Sequence, residues 1–167
     1  PLYLYRLLSS RPDDAITNQL ATVESEAIAR PADVEQALEA YVKWASTQGS
    51  SLVAALSSFV KHSPSFRTHL LVGPTGERNT YTLLPRERVL CLAESKDDLL
   101  IQIGAVLSVG SLVVLPIWSE GLISNLPKPV RNRIKIVNDW LHADAEFDAI
   151  VHHGDSDQLA EVSRQAS

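Results

Sequence analysis

Val89-Leu90-Cys91-Leu92-Ala93 runs without a polar residue for the length of one strand, and Glu94-Ser95-Lys96-Asp97-Asp98 follows at once. An unbroken apolar run of that length predicts a strand covered on both faces, as in a parallel sheet; a half-exposed strand would alternate. Ser95 three residues before Asp98 has capping-box spacing, so a helix starts there. Leu99, Ile103 and Val106 give that helix an apolar face, and Gly110 ends it. Leu112-Val113-Val114-Leu115 is a second buried strand. Residues 119–133 read as partly helical, interrupted by Pro127 and Pro129, and residues 134–137 as a third strand. Residues 147–152 form a fourth, with a turn at Gly154 and a helix from Asp155 onward. Strand–helix alternation of this kind predicts an α/β domain over residues 88–167, built on a parallel, doubly wound sheet.

Upstream the period changes. Residues 1–11 read as a short strand or extended tail. Arg11-Pro12-Asp13-Asp14 starts a helix, with proline and carboxylates suited to its first turn, and Ile16, Leu20, Val23 and Ala27 lie on one face of it. Pro31 restarts the chain, and Asp33 with Gln36 has capping-box spacing. Val34, Leu38, Tyr41 and Ala45 line a second helix, with Trp44 beside them, and Gly49 stops it. Ser50 or Ser51 caps a third, whose stripe is Leu52, Leu56, Phe59 and Val60 and which Pro64 ends. Residues 12–64 are thus expected to be a helical subdomain of three amphipathic helices, with Tyr41 and Trp44 in its core. Residues 65–87 are expected to be a connecting loop.

A net charge of −5 and an isoelectric point near 5.5 argue against a nucleic-acid binder, which needs a basic stripe. No apolar run approaches the ~20 residues of a membrane span. The single cysteine, Cys91, excludes an internal disulfide and fits a reducing compartment, so a cytoplasmic location is expected. The chain opens at Pro1 and has no methionine, so it reads as a piece of a longer protein.

A parallel sheet binds ligands where its strand order reverses, beyond the carboxyl ends of the strands. A pyrophosphate there needs small residues, free backbone N–H groups and no negative charge. The turn after residue 93 has no glycine and carries Glu94, Asp97 and Asp98; the turn after residue 152 has Gly154 but also Asp155 and Asp157. Neither G-x-G-x-x-G nor G-x-x-x-x-G-K-[ST] occurs. No catalytic, cofactor-binding or metal-ligating residue is therefore assigned. Cys91, inside an apolar strand, is expected to be buried with a raised pKa and little reactivity. His152 and His153 are adjacent on a strand and face opposite ways, which opposes shared metal ligation. The segment Gly73, Pro74, Thr75, Gly76, Glu77, Arg78, Asn79 lacks the lysine of a phosphate loop. It is a turn by default, and also the candidate contact loop for a neighbouring domain or subunit.

Several stretches carry a resemblance to known families. Gly110-Ser111-Leu112-Val113-Val114-Leu115 is similar to the aldehyde dehydrogenase segment Gly-Asn-Thr-Val-Val-Leu, which continues Lys-Pro-Ser-Glu to hold the adenosine ribose. Here the continuation is Pro116-Ile117-Trp118-Ser119-Glu120, with proline at the lysine position. Residues 147–159 resemble the segment ending Phe-Thr-Gly-Ser-Thr-x-x-Gly; Gly154 is kept, Asp155 replaces the serine and Leu159 the last glycine. These imply an incomplete, degenerate Rossmann-like sheet of the aldehyde dehydrogenase type. Pro1-Leu2-Tyr3-Leu4-Tyr5-Arg6, the stretch from Gly73 to Ala93 and Gly154-Asp155-Ser156-Asp157-Gln158-Leu159 resemble the C-terminal region of the proline utilization A family. That resemblance makes residues 1–11 the end of a catalytic domain. It implies a cytoplasmic, homo-oligomeric bacterial parent, open to peripheral membrane association. The parent would have an FAD-dependent proline dehydrogenase and an NAD-dependent glutamate-semialdehyde dehydrogenase, both outside these residues. The expected role is a non-catalytic accessory domain, without cofactor of its own, packed on the catalytic domains and enclosing their intermediate. The alternative is a nucleotide- or effector-binding module.

Overall fold

The computed structural model describes residues 25–71, 74–142 and 145–166. They fall into two units: residues 25–28 with the described part of 66–83, and residues 29–65 with the described part of 84–166.

The larger unit holds a four-stranded, wholly parallel sheet with helices. Its helices are α1 (Ala32–Ala45), α2 (Ser50–His62), α3 (Lys96–Val109), the short α4 (Glu120–Ile123) and α5 (Lys128–Arg131), and α6 (Ser156–Gln165). The strands are β4 (Arg88–Ala93), β5 (Leu112–Pro116), β6 (Ile134–Val137) and β7 (Ala149–His153), in spatial order β6-β5-β4-β7. Counted along the chain that is 3-2-1-4, so the order reverses between β4 and β7. Val89, Cys91, Val113 and Leu115 face a core shared with α1, α2 and α3; Leu90, Leu92, Val114 and Val137 face a smaller one with Trp140, Phe147 and Val162. Both faces are covered, which is why these strands read as continuous apolar runs.

Local chemistry sets the element ends. Ser95 Oγ accepts the Asp98 N–H at 3.0 Å and starts α3 as its spacing predicts. Gly110, at φ 92°, closes it: the Gly110 and Ser111 N–H groups reach the Leu107 and Val106 carbonyls, a Schellman end. The β4–β5 register stops at Leu90↔Val114. Leu112 donates its N–H to Glu87, so the donors of alternate β5 residues face β4. The next but one after Val114 is Pro116, which has no N–H.

The helical expectations hold in part. α1 has the predicted face, with Leu38, Tyr41 and Ala45 buried; α2 buries Leu52 and Leu56 of its predicted stripe, Phe59 is half-buried, and Val60 is exposed instead. The two helices do not stand apart as a helical subdomain, because the buried side chains share the sheet's core. Two predicted caps are absent. Pro31 is the N-cap of α1 and Gly49 that of α2, neither with a side-chain bond. Asp33 instead pairs with Arg133 at 3.0 Å. That arginine also donates to the Gly110 carbonyl at 2.8 Å and so ties α1 to the end of α3. The predicted tail and most of the first predicted helix lie outside the described residues. The last turn of that helix is a strand: β1 (Ser25–Ala27).

β1 pairs antiparallel with β2 (Arg67–Leu71), which pairs antiparallel with β3 (Asn79–Leu83). This smaller sheet corrects the expected connecting loop at 65–87. Thr68, Thr80, Tyr81 and Thr82 suit strands, but both faces of the sheet remain largely open. Without a buried face the segment carries no hydrophobic period to read. For Ser25–Ala27, pairing with β2 overrides the helical pattern.

Candidate functional site

The reversal of strand order places a crevice beyond the carboxyl ends of β4 and β7, between the first turns of α3 and α6. Asp155 is the N-cap of α6. Its Oδ1 accepts the Asp157 and Gln158 N–H groups at 3.0 and 2.9 Å. Gln158 Oε1 in turn accepts the Asp155 N–H at 3.0 Å, completing a capping box. Across the crevice, Gln158 Nε2 donates to Glu94 Oε1 at 2.9 Å. Asp98, bonded to the Ser95 hydroxyl at 2.7 Å, lies 3.4 Å from His153 Nδ1. A Cβ on Gly154 would run into Gln158 Oε1 and the His152 ring. The glycine's open side is therefore filled by the chain's own side chains.

The sequence points to Asp155, Gly154 and the carboxylates of both turns. It does not point to the Glu94–Gln158 and Asp98–His153 pairs. The first joins residues 64 apart and has no local pattern to reveal it.

Cys91 is fully buried, and burial pushes its thiol up to about 12, so little nucleophilic thiolate exists at neutral pH. Tyr41 is fully buried too. Its hydroxyl donates to the Leu100 carbonyl at 2.6 Å, and its ring stacks on Trp44 at 5.5 Å. Burial first, and then the neighbouring Cys91, raise its pKa. Among the described residues, no three His, Cys, Asp or Glu gather as a metal site, and no helix is long and apolar enough to cross a membrane.

The candidate contact segment lies at the β2–β3 connection. Gly73 is outside the described residues. Pro74, Gly76, Glu77 and Arg78 are exposed, and Asn79 opens β3. The Glu77 N–H reaches the Pro74 carbonyl at 3.1 Å, and Gly76 has φ 94°. Position i+2 of a type II turn demands this, and glycine meets it without strain.

No family model matches the chain. Among curated proteins it is similar to the "Bifunctional protein PutA" of Klebsiella aerogenes, at 43% identity over all of the chain and 13% of that protein. It is 42% identical to the Escherichia coli K12 protein of the same name, over 95% of the chain and 12% of the protein. To that of Rhizobium meliloti it is 29% identical, over 98% and 13%. The chain is thus related throughout its length to one region of PutA, and it spans about an eighth of the relatives it matches.

Proposed function

We propose that this chain is a non-catalytic accessory region, C-terminal in a PutA-type enzyme that oxidises proline to glutamate through pyrroline-5-carboxylate. In this reading it packs on the FAD- and NAD-dependent catalytic domains of the same polypeptide and helps enclose the path of the intermediate. Enclosure raises the local concentration of the intermediate; no group of this chain touches it chemically.

One observation carries the reading. The crevice where a Rossmann-like sheet of the aldehyde dehydrogenase type would hold its nucleotide is bridged by the chain's own side chains. Two of the first-turn donors of α6, the Asp157 and Gln158 N–H groups, are already taken by Asp155. Glu94 and Gln158 close the gap above them. A phosphate entering there would displace a carboxylate and face others, at a helix end whose partial charge is already compensated. At the position of the resemblance's ribose-binding lysine stands Pro116, which has no N–H to extend the β4–β5 pairing. The exposed turn at Pro74, Gly76, Glu77 and Arg78, with Asn79 beyond it, is the proposed contact with a catalytic domain.

The test uses a PutA-type enzyme carrying this region, intact and with residues 12–167 removed. Proline is supplied and NADH is followed from time zero. A lag confined to the truncated enzyme, with each half-reaction keeping its own rate, is the expected result. The absence of a lag, with both rates unchanged, would sink the enclosure role.

A further inference from the structure

We propose that β7 and α6 form a charge-tethered edge of the parallel sheet, which opens as a unit before the rest of the sheet unfolds. Among the described residues β7 pairs on one side only, with β4. None of its five residues is fully buried, and α6 has no buried residue. β4 buries five of its six residues and β5 four of five. The apolar contacts of β7 and α6 are all partly buried: Ala149 and Val151 against the larger core, Ile150 and Val162 of α6 against the smaller one, with five backbone pairs from β7 to β4.

The attachment is polar at both ends. At the amino end, Asp148 Oδ2 accepts the Arg88 N–H at 2.8 Å. The Arg88 guanidinium pairs with Glu146 at 2.7 Å and Glu87 at 3.1 Å, and Lys135 lies 3.8 Å from Glu146. At the carboxyl end stand the Gln158–Glu94 bond and the His153–Asp98 contact. Apolar burial is insensitive to screening by salt, whereas half-exposed ion pairs are weakened by it. An element with little burial and exposed tethers belongs to the low end of local stability. Opening would uncover Leu90 and Leu92 on β4 and leave that strand's edge free.

The test is amide hydrogen exchange on the 167-residue chain at roughly 0.05 M and 1 M salt, with and without Arg88→Met. Salt is expected to speed exchange in β7 roughly two- to fivefold while β5 holds its rate. Arg88→Met is expected to raise β7 exchange at low salt and blunt the salt response. Exchange of β7 in step with β5 under every condition overturns the proposal. If Arg88→Met fails to fold, the salt series on the native chain decides: a β7 indifferent to salt refutes the tether.

Discussion

Gly104 sits where α3 meets α1 and α2. A Cβ there would run into Leu56 Cδ2 and lie 3.2 Å from Tyr41 Cε1. Leu56 and Tyr41 are themselves fully buried, so neither can swing away. Gly104→Ala should cost about 1–3 kcal/mol through overpacking, read as a lower urea midpoint; an unchanged midpoint would mean that α3 shifts freely. The pair Cys91 and Tyr41 makes an alkaline prediction. Both hold their protons more tightly folded than unfolded. Their contribution is therefore whole below the ordinary thiol range. It is lost as pH rises toward about 12 for Cys91, and toward higher pH for Tyr41. The slope is at most about 1.4 kcal/mol per pH unit per group. Urea midpoints measured at increasing pH should fall for the native chain, and less steeply for Cys91→Ala. Equal slopes would mean that the thiol titrates alike in both states.

At the scale of elements, α6 depends on its cap. It buries no residue, and Asp155 holds two of its first-turn donors. Asp155→Ala should destabilise it by roughly 1 kcal/mol, visible as faster amide exchange in α6, whereas Asp155→Asn should keep most protection. β4 and β5 were legible because burial imposes continuous apolar runs at 89–93 and 112–115, and the starts of α3 and α6 because polar caps stand at Ser95 and Asp155. The antiparallel strands were not. Arg67–Leu71 and Asn79–Leu83 are exposed on both faces, so no periodicity marks them. The spacing of Asp33 and Gln36 misled for a different reason. Pro31 begins the helix two residues earlier, which leaves the Asp33 carboxylate to reach Arg133.

For the molecule as a whole, the relatedness covers about an eighth of the PutA proteins that the chain matches. The crevice was half legible. The acidic turns could be read along the chain, but the bonds that span them join residues that only the sheet brings together. Titration of the chain with millimolar NAD, followed by calorimetry, is expected to give no saturable heat. Saturable binding would favour a nucleotide-binding module over an accessory region.

Pro116 has a consequence for assembly. Apolar residues alternate freely on both faces of β5, so side-chain pattern alone would scarcely penalise a slip by two along β4. A slip in one direction would carry the imino nitrogen into the position that Val114 now fills, opposite Leu90, and one rung of the ladder would be lost. The proline thus acts as a one-way register stop: slips that would draw it into the ladder are penalised, and in the observed alignment its missing donor falls beyond the last rung.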